Sequence, residues 1–160
     1  MLRWAFMQLS DVFLQLGQDR LRQLVRGISF GKLKTFQLYD RFKTRTRLFK
    51  LNAENLRASV PKFFKRLEEG DQEFATDLSQ AILIAHLDMI RAVLDFLGVP
   101  HQEGFFDKDI ESAKYLTEGW QARVYEEFKA KYQPDILLFY VNHLGLELGG
   151  AQTVYLPAAE

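Results

Sequence analysis

The stretch Asp71–Pro100, DQEFATDLSQAILIAHLDMIRAVLDFLGVP, limits what this chain can fold into more than any other. Apolar residues fall at Phe74, Leu78, Ile82, Ala85, Met89, Val93 and Phe96. A second row runs through Leu83, Leu87, Ile90, Leu94 and Leu97, so more than half of the circumference of a helix here is apolar. Such a helix has to be covered on several sides. Gly70 stops the preceding helix, Asp71 serves as N-cap, and Gly98 with Pro100 ends the segment, which predicts a core helix of about seven turns.

The rest of the chain reads as helices that could cover it. Leu2, Phe6, Leu9, Phe13 and Leu16 share one face, with Ala5 and Val12 beside it, and Leu21, Leu24, Val25 and Ile28 continue the spacing either through or after a break at Gly17. Leu33, Phe36, Tyr39 and Phe42 also favour a helix. The run RFKTRTRLFKL, with Thr and Phe among alternating cations, would equally suit a short strand. Asn52 is an N-cap, and Ser59 with Pro61 opens a fresh helix that Gly70 closes. Beyond the loop GVPHQEGFFDKD, the spacing of Ala113, Leu116, Trp120, Val124, Phe128 and Tyr132 predicts a helix of about six turns from an Asp109 cap to Pro134. A last helix follows, ILLFYVNHLGLEL, ended by Gly149 and Gly150. The expectation is an all-α, single-domain helical bundle over 1–150, of five to seven helices with two long antiparallel ones at the centre, and a C-terminal tail at 151–160.

A chain of 160 residues can bury roughly 70% of its unfolded surface, so it needs no staples. It has no Cys, which excludes disulfides, thiolate metal sites and cysteine nucleophiles. The first eighteen residues lack a secretory pattern, and no segment is apolar for long enough to span a membrane. A cytoplasmic location is the resulting expectation.

Charge is distributed unevenly. Residues 1–66 hold 15 Lys and Arg against 4 Asp and Glu, and residues 67–160 hold 6 against 17, so a net charge of zero hides halves of +11 and −11. The densest cationic strip is Arg41, Lys43, Arg45, Arg47 and Lys50, interleaved with Phe42, Leu48 and Phe49. Cations that neutralise phosphates gain from counterion release, and aromatics among them can stack on bases, so single-stranded nucleic acid is one partner such a strip fits. An anionic protein surface is another. The acidic half of the same chain or of a second protomer could also satisfy these charges, and in the second case a homodimer follows.

Constellations for chemistry are sparse. Phosphate-loop, dinucleotide, nucleophile-elbow and zincin motifs are all missing. His86 and Asp88 are two residues apart and face different sides of a helix, so they do not form a ligand pair. His143 could meet His86 across a helix pair, and His101 lies in a loop with Glu103, Asp107 and Asp109 that lacks calcium-loop spacing. The leading expectation is a non-enzymatic helical interaction protein without a cofactor, using Arg41 to Lys50 against an anionic partner or the acidic half of another protomer. The alternative is a bundle that binds a small molecule or divalent metal near His86, His101 and His143, with hydrolytic activity.

Overall fold

A computed structural model describes residues 7–48, 50–106, 109–149, 151 and 153–157. It is all-helical, with no strand among these residues, and the helices are more numerous and shorter than the five to seven expected. Leu2, Ala5 and Phe6 of the first amphipathic pattern, Phe49 of the cationic strip and Asp107 of the loop lie outside the described residues. The chain divides into two compact units, Gln8–His86 and one that begins at Leu87.

In the N-terminal unit, α1 (Leu9–Leu16) and α2 (Gln18–Arg26) are separated at Gly17. That residue has φ +94°, a backbone that L side chains rarely adopt, and this decides the break the apolar spacing left open. Next come α3 (Phe30–Thr35) and α4 (Tyr39–Thr46), so the run with strand-like composition is helical up to Thr46. Two short helices follow, α5 (Ala53–Ala58) and α6 (Val60–Glu68). The Asn52 side chain accepts the Asn55 N–H at 2.8 Å, and Pro61 sits in the first turn of α6, where its missing N–H is harmless.

The α7 helix (Gln72–Leu83) is the centre of this unit and packs against α1, α4 and α6. Its Asp71 cap accepts the Phe74 N–H at 3.0 Å. Phe74, Ala75, Leu78, Ala81 and Ile82 are all fully buried. Arg66 of α6 ties the elements together. Its guanidinium stacks 4.3 Å from the Phe74 ring centroid, pairs with Asp71 at 2.7 Å and donates to the Arg45 carbonyl.

The predicted seven-turn helix is interrupted. A 3₁₀ turn at Ile84–His86 divides it, and α8 (Leu87–Leu97) begins the second unit. The apolar rows therefore serve two cores rather than one: the α7 stripe packs in the first unit, and Met89, Ile90, Val93 and Leu94 of α8 are buried in the second. Phe96, assigned to the first row, is 45% exposed and meets Phe128 edge-on at 5.5 Å.

In the C-terminal unit, the predicted six-turn helix is also shorter. A 3₁₀ turn at Ser112–Lys114 precedes α9 (Trp120–Phe128), and Gly119 between them has φ +79°, which a helix cannot pass through. The α10 helix (Pro134–Gly149) packs on α9 and is buried on most sides. Its Asn142, fully buried, donates through Nδ2 to the Leu138 carbonyl at 2.9 Å and to the Tyr155 carbonyl at 3.0 Å, and accepts the Tyr155 N–H at 2.6 Å. The segment after α10 is thereby held by a two-point amide clamp, and the Tyr155 ring lies 6.4 Å from Tyr125. No helix among the described residues is long and apolar enough to cross a membrane.

Candidate polyanion interface

The cationic strip occupies α4 and the segment leading to α5. Arg41 and Arg45 are four residues apart, so they lie on one face of α4, and Glu73 and Asp77 have the same spacing on α7. The two ladders meet. Arg41 Nε is 3.1 Å and Arg45 Nε 2.9 Å from the Asp77 carboxylate, and Arg45 also pairs with Glu73 at 2.5 Å. Arg41 donates to the Gln80 side chain at 2.7 Å as well. Asp77 is only 7% exposed, so these bonds satisfy a carboxylate that burial would otherwise penalise. The Arg45 pKa sits above its ordinary value: desolvation pulls it down, and the Glu73 and Asp77 carboxylates more than offset that.

Lys43, Arg47 and Lys50 differ. None has an ion-pair partner among the described residues; Arg47 and Lys50 are exposed, and Lys43 is half-buried. Arg47 is the left-handed C-cap of α4 at φ +58°, a place where Gly is preferred and a larger residue costs roughly 1 kcal/mol. Phe42, expected as a stacking aromatic, is 1% exposed and belongs to the core, where a base cannot reach it. Leu48 is half-buried. The strip is therefore three accessible cations without Phe42, beside two arginines held by acidic partners.

Those partners were not among the residues singled out for the strip. The signal that could have found them is the matched four-residue spacing of Arg41 with Arg45 and of Glu73 with Asp77. Both carboxylates come from the half of the sequence counted as acidic, so part of the charge split is satisfied within one unit. Fourteen Lys and Arg against nine Asp and Glu in 8–86 still leave that unit at +5, and 87–160 holds six against twelve.

The three histidines fall into different surroundings. His86 ends the 3₁₀ turn of the N-terminal unit, where its Nε2 has no hydrogen-bond partner and would stand 3.0 Å from a Cβ placed on Gly27. His101 and His143 belong to the C-terminal unit. His101 Nε2 is 2.7 Å from Asp95 and its Nδ1 accepts the Gly104 N–H at 3.0 Å, which employs both ring nitrogens in closing a loop. His143 lies 3.4 Å from Glu147, and its ring packs on Phe139. Among the described residues no group of three or more His, Asp or Glu side chains is arranged to hold a metal ion.

Burial, helped by Lys32, pushes the His86 pKa below its ordinary value of 6.5. The unfolded chain then takes up this proton first, so the stability linked to a neutral His86 is complete above about pH 6.5 and is lost as the pH falls below it. Denaturant midpoints of the N-terminal unit should drop between about pH 7.5 and about pH 5.5, and the drop should shrink in His86→Leu. An unchanged pH dependence in that variant would assign the effect to other groups.

Comparison with protein-family models, with curated proteins and with solved structures yields no match for this chain.

Proposed function

We propose that this chain is a non-enzymatic helical interaction protein whose N-terminal unit offers Lys43, Arg47 and Lys50 to an anionic partner. The observation that carries this reading is the difference within the strip: Arg41 and Arg45 are occupied by α7 carboxylates, whereas these three cations have no such partner among the described residues. With Phe42 in the core, recognition is electrostatic more than by stacking, and this favours an acidic protein surface over single-stranded nucleic acid. The excess of acidic residues in 87–160 makes a second copy of the chain one such surface.

The test is the triple variant Lys43→Glu/Arg47→Glu/Lys50→Glu, measured for binding to a labelled poly-glutamate peptide and to a labelled single-stranded oligonucleotide. Binding by the unaltered chain should be measurable at about 50 mM salt, weaken at about 200 mM, and fall at least about tenfold in the variant. Light scattering over the same salt range separates a partner from self-association, since a charge-driven dimer dissociates as salt rises. Equal binding by variant and parent would remove the strip from consideration. Arg41 and Arg45 are left unaltered because replacing them would break pairs that hold α4 on α7.

A further inference from the structure

The turn that follows α8 is tied to that helix through a single histidine. His101, whose side chain is 11% exposed, accepts the Gly104 N–H on Nδ1 at 3.0 Å, and its Nε2 lies 2.7 Å from the Asp95 carboxylate of α8. An amide N–H donates only to a lone pair, so Nδ1 is unprotonated and the hydrogen of the neutral ring sits on Nε2, where it donates to Asp95. A chain of bonds thus runs from α8 through the ring to the turn. The turn itself is a closed piece: Gln102 and Phe105 exchange backbone bonds at 2.7 and 2.9 Å, and Glu103 and Gly104 between them have φ +53° and +91°, as a two-residue hairpin of the primed type requires. It lies close on α8. A Cβ placed on Gly104 would stand 3.2 Å from Ile90 Cγ2 and 3.6 Å from Leu87 Cδ2, so the turn roofs these two side chains. Its other polar tether is the Glu103–Arg91 pair at 3.0 Å, which Arg91 shares with Asp88; with Glu103 81% exposed, such a pair contributes little. Asp95 is the charged side chain that pairs with the ring, and α9, packed on α8, brings none to it among the described residues.

We propose that His101 is a pH-sensitive latch, which in its neutral form holds the 102–105 turn on Leu87 and Ile90 and, on taking up a second proton from solvent, releases it. That proton goes to Nδ1, because Nε2 already carries one. Two donors, Nδ1–H and the Gly104 N–H, then face each other across the 3.0 Å that a hydrogen bond had spanned, and neither has an acceptor there. The bond to Asp95 is kept and becomes charge-assisted, so the imidazolium stays with α8 and the turn is what moves away. Because the turn closes on its own backbone bonds, it swings as a piece and uncovers Ile90, which is 6% exposed beneath it. Phe105 on the same turn is 53% exposed already, so the low-pH form presents a larger apolar surface. The latch lies in the C-terminal unit and does not depend on the cationic strip.

The experiment is an NMR titration of the full chain from about pH 8 to about pH 5, the range in which histidines change charge. The His101 ring signals and the Gly104 amide should move with one common midpoint. Over that step the protection of the Gly104 amide, corrected for the pH dependence of chemical exchange, should fall about fivefold or more, the scale of one lost hydrogen bond. The Ile90 and Leu87 methyl signals should become more sensitive to a soluble paramagnetic probe. Two variants separate a latch from a merely structural histidine. His101→Asn, whose Oδ1 can accept the Gly104 N–H and does not titrate, should leave that amide protected at both ends of the range. Asp95→Asn removes the charge that favours the imidazolium, so both midpoints should shift together to lower pH. A ring that stays neutral down to about pH 5, or a Gly104 amide that keeps its protection while the ring titrates, would overturn the latch in the unaltered chain alone. So would an unchanged pH response in His101→Asn, and no such result would bear on Lys43, Arg47 and Lys50.

Discussion

Phe74→Ala lowers the stability of the N-terminal unit by about 3–5 kcal/mol, the range for deleting a buried phenylalanine from a packed core. The ring is fully buried on α7, 5.2 Å from Phe63 on one side, with the Arg66 guanidinium on another. Truncation thus removes the transfer energy of the ring, leaves a cavity that α6 and α7 cannot close without moving, and deprives Arg66 of its stacking surface, itself worth about 0.5–2 kcal/mol. A small domain has only about 5–15 kcal/mol in total, so the variant brings the unit close to unfolding. Because the chain has two compact units, a single melting temperature is a poor measure. Amide hydrogen exchange resolved by residue is the suitable one. Protection in α7 should fall by about a hundredfold or more, in line with that loss of stability. A loss under about 1 kcal/mol would mean that the ring is not packed as described.

Asn142→Ala should cost the C-terminal unit about 2–4 kcal/mol and release the segment that follows α10. Its side-chain amide makes three hydrogen bonds, and two of them hold the backbone N–H and C=O of Tyr155 as a neighbouring strand would. Alanine leaves the Tyr155 N–H and C=O without these partners and a small void beneath them. Asn142→Asp retains the acceptor but removes both donors and buries a charge, so it should be no less harmful. Limited proteolysis reports the release: cleavage within residues 151–157 should appear in both variants and be slow in the parent. If cleavage rates and the exchange of the Tyr155 amide stay unchanged, the clamp is not what holds this segment.

Local signals in the sequence translated well into local structure. Asp71 and Asn52 cap and Pro61 opens a helix, because each acts through bonds or dihedrals within a few residues of itself. What the sequence did not disclose depends on partners distant in the chain. An unbroken apolar pattern from Phe74 to Leu97 is equally compatible with one long helix in one core and with two helices in two cores, and only the neighbours decide. Between Ala113 and Trp120 the apolar spacing outweighed Gly119, although the backbone there takes a conformation outside the helical range. For the strip, composition located the cations and left their availability open: in the structure Phe42 turns inward, and Asp77 pairs with two guanidinium groups. The matched spacing on α4 and α7 was readable, but which pair of helices would meet was not.

The capture of Arg41 and Arg45 also fixes an upper limit that can be counted in a test tube. A ligand held by Lys43, Arg47 and Lys50 alone displaces the condensed ions of three phosphates at most, which on a single strand corresponds to a logarithmic salt derivative of about −2. All five strip cations would give about −3.5 by the same rule. The gradient of affinity against salt therefore works as a valence meter: a value near −2 means that the α7 carboxylates keep their arginines while the ligand is bound. A steeper one means either that those pairs open or that cations elsewhere on the unit have joined in.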